Sequence, residues 1–153
     1  VTSPSRTPDG ALNEAAIGGI AGYRLAQAAV VTSAVFQRHI GQPQNLRPVE
    51  FAVLALASAN PGAGAAQLAR ALAMSKPHMT LCLGRLEARR LVRRQISHSD
   101  GRVIEVHASA AGNRLVADGL QRLQAAEREA LSALSPAELA MLLELLAKAA
   151  RRP

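Results

Sequence analysis

The chain is poor in the residues that anchor most protein chemistry. It has one cysteine, Cys82, no tryptophan, one tyrosine and two phenylalanines. A single cysteine excludes a disulfide within the chain and any multi-thiolate metal site. Aromatics at 2% leave Leu, Ala, Val, Ile and Met to build the core, and so much Ala and Leu favours helix. The four histidines, His39, His78, His98 and His107, lack metal-ligand spacing. No Gly-rich phosphate loop, nucleophile elbow or paired-carboxylate motif occurs. Ser75 and His78 share a predicted helix but have no orienting carboxylate near them in sequence. The expectation is therefore no catalytic site, no metal and no cofactor. No apolar run approaches a membrane span, and no charged–apolar–small pattern opens the sequence. Together these absences predict a soluble protein of the reducing cytoplasm.

What is present is positive charge in one place. Residues 70 to 102 hold eight of the 18 basic residues but only two of the 11 acidic ones, Glu87 and Asp100. Six of the seven net charges of this 153-residue chain thus fall within 33 residues. A concentrated basic block in an otherwise balanced chain calls for a polyanion, and double-stranded DNA is the first candidate.

The pattern along the chain predicts a mainly α fold with a small β-hairpin. Residues 1 to 11 read as a flexible tail and 12 to 153 as a single domain. A long helix is expected from about Leu12 to Ile40, weakened by Gly18, Gly19 and Gly22. Residues 41 to 48 read as a loop. A buried helix follows over 49 to 59, with Pro48 in its first turn. Residues 60 to 64 break it, and a short helix spans 65 to 72. Ser75 then offers an N-cap for a second helix reaching about Arg90. In that helix Met79, Cys82, Leu83 and Leu86 fall on one face. Strands at 91 to 97 and 102 to 108 flank His98-Ser99-Asp100-Gly101, with Asp100-Gly101 as the turn signal. A long helix over 109 to 134 is lined by Leu115, Leu120, Leu123, Leu131 and Leu134. Ser135-Pro136-Ala137-Glu138 opens the last helix as a capping box.

Helix, tight turn, helix and hairpin through a basic block is the order of a winged helix-turn-helix. Its second helix enters the major groove, and its hairpin can reach the minor groove. At these residues the sequence resembles the MarR family of transcriptional regulators. The resemblance runs from about Leu12 to Arg151. It is carried by LRPVEFAVL (46 to 54), QLARALAMSKPHMTLCLGRLEARRLVRR (67 to 94), SDGR (99 to 102) and SAAGNRL (109 to 115). It implies a homodimer with dimerisation helices over 12 to 40 and 109 to 150 and a DNA-binding region over 48 to 108. Each subunit would offer its winged helix to half of a palindromic operator. Many members are repressors released by small aromatic or phenolic ligands. Matched residue by residue, Ser75, Lys76, Pro77, His78 and Thr80 correspond to the groove-facing start of the recognition helix. Asp100 and Arg102 correspond to a wing pair whose aspartate steadies the arginine. Leu81 departs from the family, where arginine is common, and could instead touch a thymine methyl. Arg85, Arg89, Arg93 and Arg94 continue the basic track toward the wing. Tyr23, Arg24, Phe36, His39 and Phe51 lie where the family places its effector pocket.

Plainer readings stand beside these. An arginine cluster can be a solvated face, and the five effector-pocket residues can be ordinary packing and surface charge. Cys82 shares its helical face with apolar neighbours and fits a small core residue better than a redox switch. A nonspecific architectural DNA binder and a winged-helix protein–protein module remain the alternatives to a sequence-specific regulator.

Overall fold

The computed structural model describes residues 6–151. Part of the expected tail, residues 1–5, and the terminal residues 152–153 lie outside the described residues. The chain divides into two compact units, residues 1–37 with 126–153, and residues 38–125.

The 38–125 unit contains the helices α2 (Gln42–Gln44), α3 (Pro48–Ala59), α4 (Ala65–Ala71) and α5 (Lys76–Ala88). Strands β1 (Ala63–Gly64), β2 (Val92–Ile96) and β3 (Ile104–Ala108) form an antiparallel sheet in the order β1-β3-β2. Helix α6 (Ala110–Ala130) begins in this unit. Pro48 takes the first position of α3, where its missing N–H costs no hydrogen bond. The Glu50 carboxylate closes the cap by accepting the Arg47 backbone N–H at 2.9 Å. Val53, Leu54 and Ala57 of α3 are fully buried, as is Val106 of β3. Met79, Cys82, Leu83 and Leu86 add the core face of α5, each at most 2% exposed.

Four differences from the expected elements have physical causes. Helix α1 (Ala21–Phe36) starts well after Leu12. Gly18 and Gly19 favour turns, and the Arg24 guanidinium, donating to the Gly18 carbonyl at 2.9 Å, folds that turn back. Residues 41 to 44, expected as loop, are helical, a π-helical turn (Gln37–Gly41) running into α2. Strand β1 escapes sequence reading because two residues carry no alternation. In α6 the buried positions are Gly112, Val116 and Gly119, while Leu120 is exposed. Small residues win there because the neighbours come so close. A Cβ on Gly112 would lie 2.2 Å from the Leu91 carbonyl oxygen, and one on Gly119 would lie 2.8 Å from the Phe51 ring.

The other unit contains a turn over residues 6 to 13, α1, the end of α6 and α7 (Pro136–Ala149). Residues 6 to 13 carry hydrogen bonds such as Thr7 N–H to the Leu12 carbonyl at 2.9 Å. The capping box at Ser135 forms: Glu138 Oε2 accepts the Ser135 N–H at 2.8 Å, and Ser135 Oγ accepts the Glu138 N–H at 3.3 Å. Helix α7 has no buried residue, although Met141, Leu143, Leu145 and Leu146 are all exposed on it. In α1, Leu25, Val30 and Val31 are exposed too. No helix among the described residues is long and apolar enough to cross a membrane.

Candidate nucleic-acid interface

Helix α4 leads into α5 through a turn whose Ala73 takes a left-handed φ of 52°. The Met74 N–H donates to the Ala69 carbonyl at 2.9 Å across it. Ser75 caps α5, its Oγ accepting the His78 N–H at 3.4 Å, and Pro77 lies in the first turn. Burial of Met79, Cys82, Leu83 and Leu86 fixes the rotation of α5 about its axis. Ser75, Lys76, Pro77, His78, Thr80 and Leu81 are consequently exposed, Leu81 at 54%. The free N–H groups of a helix start and a lysine there suit phosphate. The Thr80 hydroxyl donates to the Lys76 carbonyl at 3.0 Å, one turn back, which the sequence did not announce.

The arginines separate into two kinds. Arg85 pairs with Glu50 at 3.3 Å, and the Glu50 side chain is 7% exposed. Arg94 forks onto Glu87: its Nε donates to Oε2 at 3.0 Å, and its backbone N–H donates to Oε1 at 3.1 Å. The hydrogen bond from Arg94 holds the Glu87 carboxyl below the usual range. These two basic residues of the block therefore have internal ion pairs. Arg89 donates to the Asn45 carbonyl at 3.0 Å, which ties its guanidinium without neutralising it. Arg70, Lys76, Arg89, Arg90, Arg93 and Arg102 stand outside the ion pairs of the described residues, and all six are exposed. Charge counting alone could not make this division, because Glu50 is 35 residues from Arg85 in sequence.

In the wing, Val92 faces Ala108, Arg94 faces Val106 and Ile96 faces Ile104. The loop runs over residues 97 to 103 rather than closing as a two-residue Asp-Gly turn. Ser97 N–H donates to the Val103 carbonyl, and Val103 N–H to the Asp100 carbonyl, both at 2.9 Å. The Asp100 carboxylate accepts the backbone N–H of Arg102 at 3.0 Å. No Asp100–Arg102 ion pair occurs among the described residues. The aspartate thus shapes the turn and does not grip the guanidinium. Behind the tip, Glu105 Oε2 accepts from Gln95 Nε2 at 3.0 Å and lies 3.2 Å from His107 Nε2. Hydrogen bonds from Ser97, Gln95 and His107, in that order of weight, bring the Glu105 carboxyl down to about 2.

The five effector-pocket candidates fall in different units, Tyr23, Arg24 and Phe36 in one and His39 and Phe51 in the other. Tyr23 and Arg24 converge on Glu14, which is 2% exposed. Tyr23 OH donates to Glu14 Oε2 at 2.7 Å, Arg24 Nη1 pairs with Oε1, and Gln27 Nε2 donates to Oε2 at 2.8 Å. The Arg24 hydrogen bond holds the Glu14 carboxyl below its ordinary range against the opposing effect of desolvation. Sequence reading missed Glu14 because a carboxylate within an expected helix normally faces solvent. The Phe51 ring packs against Gly119. Cys82 is buried with its thiol pushed up to about 11, by desolvation first and then by Glu50.

Comparison with known proteins gives a consistent picture. A family model described as the MarR family matches residues 46–104. A structure described as a probable transcriptional regulator from Pseudomonas aeruginosa is 32% identical, with a TM-score of 0.75, covering 85% of this chain and 96% of that one. The transcriptional repressor CouR, bound to a 23-mer DNA duplex, is 28% identical with a TM-score of 0.82, covering 92% and 99%. BpsR of Bordetella bronchiseptica, whose DNA binding is regulated by 6-hydroxynicotinic acid, shares the fold at 23% identity. Its TM-score is 0.79, with coverage of 90% and 97%. No curated protein sequence matches the chain.

Proposed function

Because the chain belongs to the MarR family of DNA-binding transcriptional regulators, which are not enzymes, we propose that it acts as a homodimeric, cytoplasmic repressor on a palindromic operator. The observation that carries this reading is the exposed start of α5 beside a buried, fully packed opposite face. Lys76, His78, Thr80 and Leu81 are the residues assigned to base edges and groove floor. Arg89, Arg93 and Arg102, with charges that no internal carboxylate neutralises, are assigned to the DNA backbone and minor groove. Arg85 and Arg94 are assigned to bracing the winged helix, through Glu50 and Glu87.

The homodimer rests on α7 and α1. Helix α7 opens on a strong cap yet has no buried residue, and each buried leucine would contribute roughly 1.5–3 kcal/mol. A small aromatic or phenolic effector is the proposed release signal. BpsR, regulated by an aromatic acid, supports this by analogy of fold.

The test is a binding selection on random duplexes, followed by titration of the selected sequence at several salt concentrations. A sequence-specific dimer yields an inverted repeat and a footprint with two-fold symmetry. Arg93→Ala should weaken all sequences and reduce the salt slope by about 1 for each phosphate no longer neutralised. Arg94→Ala should lower thermal stability more than it changes that slope. His78→Ala should change the preferred sequence, at roughly 1–3 kcal/mol for removal of a base-specific hydrogen bond. A selection returning no repeat, with equal affinity for all duplexes, would favour an architectural binder instead.

A further inference from the structure

The wing carries an apolar surface that neither the core nor the basic track uses. Val106 of β3 is wholly buried. Two residues earlier on the same face, Ile104 has left the core and is 48% exposed. Its cross-strand partner Ile96 is 66% exposed. Two large aliphatic side chains thus face each other across the distal end of a two-stranded ribbon, near the exposed Arg102 and His98 in the chain. Contiguous apolar surface with a polar rim marks an interaction site, whereas single exposed residues do not.

We propose that Ile96 and Ile104 form an apolar contact with the deoxyribose walls of the DNA minor groove, flanking the Arg102 that enters it. This inference rests on the DNA-binding reading above and adds to it a contact made without charge. The chemistry of the two surfaces matches. A minor-groove wall presents apolar sugar C–H edges between anionic phosphates, and the wing presents aliphatic sides around a cationic tip. Aliphatic side chains are used elsewhere as wedges in minor grooves. Charge selects the occupant: the patch belongs to a segment that holds six of the seven net positive charges of the chain.

The experiment uses the full chain and a duplex that the wild-type protein selects from a random library. Ile96→Thr with Ile104→Thr keeps both side chains β-branched, so the strands retain their propensity while the apolar ends are removed. The expected result is affinity weaker on the order of tenfold with an unchanged salt slope, because no charge is removed. Hydroxyl-radical footprinting, which reads exposure of the sugars, should lose protection at the outer flanks and keep it at the centre of each half-site. Ile96→Thr alone, at the more exposed position, should give part of the same loss without affecting folding. Unchanged affinity and footprint would overturn the inference while leaving the DNA reading intact. A changed oligomeric state at full DNA affinity would also overturn it, by making the patch a contact between copies. A wild-type protein that selects no duplex would overturn both.

Discussion

Adding a single methyl group at Gly112 tests how tightly α6 is set against the winged unit. A Cβ there would stand 2.2 Å from the Leu91 carbonyl oxygen and 3.1 Å from Leu54 Cδ1. Ordinary contact with that oxygen would require backbone to move by about 1 Å, since contact distances begin near 3.4 Å. The same carbonyl accepts the Ser109 N–H at 2.9 Å, so moving it loosens the start of α6 as well. Overpacking of this kind costs roughly 1–3 kcal/mol or more. Alanine returns about 1 kcal/mol of helix propensity. Because the clash is with backbone, the cost falls at the upper end, about 3 kcal/mol, and the net expectation for Gly112→Ala is a loss of about 2 kcal/mol, or a melting temperature lower by about 4–8 °C. Gly84→Ala is the control, because a Cβ there meets nothing within 4 Å inside α5. It should gain roughly 0.5–1 kcal/mol and melt a few degrees higher. Thermal melts at one fixed protein concentration compare the three proteins. If Gly112→Ala melts at or above the wild type, the close approach of α6 to Leu91 is wrong.

Four further outcomes are expected. Leu143→Asp should convert a sedimenting dimer into a monomer or unfold α7, and a wild type that sediments as a monomer at micromolar concentration would refute the dimer. Asp100→Asn should keep DNA affinity within about twofold, since it retains an acceptor for the Arg102 N–H, whereas Asp100→Ala loses the turn and Arg102→Ala removes the guanidinium itself; equal damage from Asn and Ala would restore charge steering as the mechanism. The Glu105 carboxyl, lowered from 4.5 to about 2, contributes stability that is present above pH 4.5 and lost as pH falls toward 2, so Glu105→Gln should flatten the acid decline in melting temperature over that window. Cys82, buried with its thiol raised to about 11, should resist thiol reagents at about pH 8 in the native protein and react promptly in urea, as an accessible thiolate would already do without it.

The sequence was most legible where a local rule and a core demand coincided. Ser75 and Ser135 cap the expected helices, Pro48 sits in the expected first turn, and the predicted face of α5 is the buried one. The MarR resemblance matched the family that the comparisons support. Long-range pairing was the illegible part. Nothing local to Arg85 or Glu14 announces their partners, and the division of the basic block into braced and unbraced arginines follows from the pairs Arg85–Glu50 and Arg94–Glu87. Burial in α6 was misjudged because leucine attracts attention by hydrophobicity, while Gly112 and Gly119 are selected by lack of volume. At the wing tip, the expected Asp100–Arg102 interaction runs to the arginine's backbone and not to its side chain.

That last bond bears on how such a protein changes over generations. The turn around Arg102 is held by a carboxylate on a main-chain N–H, together with main-chain bonds at Ser97 and Val103. None of these depends on what the side chain at position 102 is. The loop is a socket, and the residue in it is exchangeable. A single codon change there alters what is shown to the partner without altering where it is shown. Under the proposed DNA contact, binding preference at the wing can therefore drift in small viable steps, whereas a device built on an arginine–aspartate grip would require two simultaneous changes.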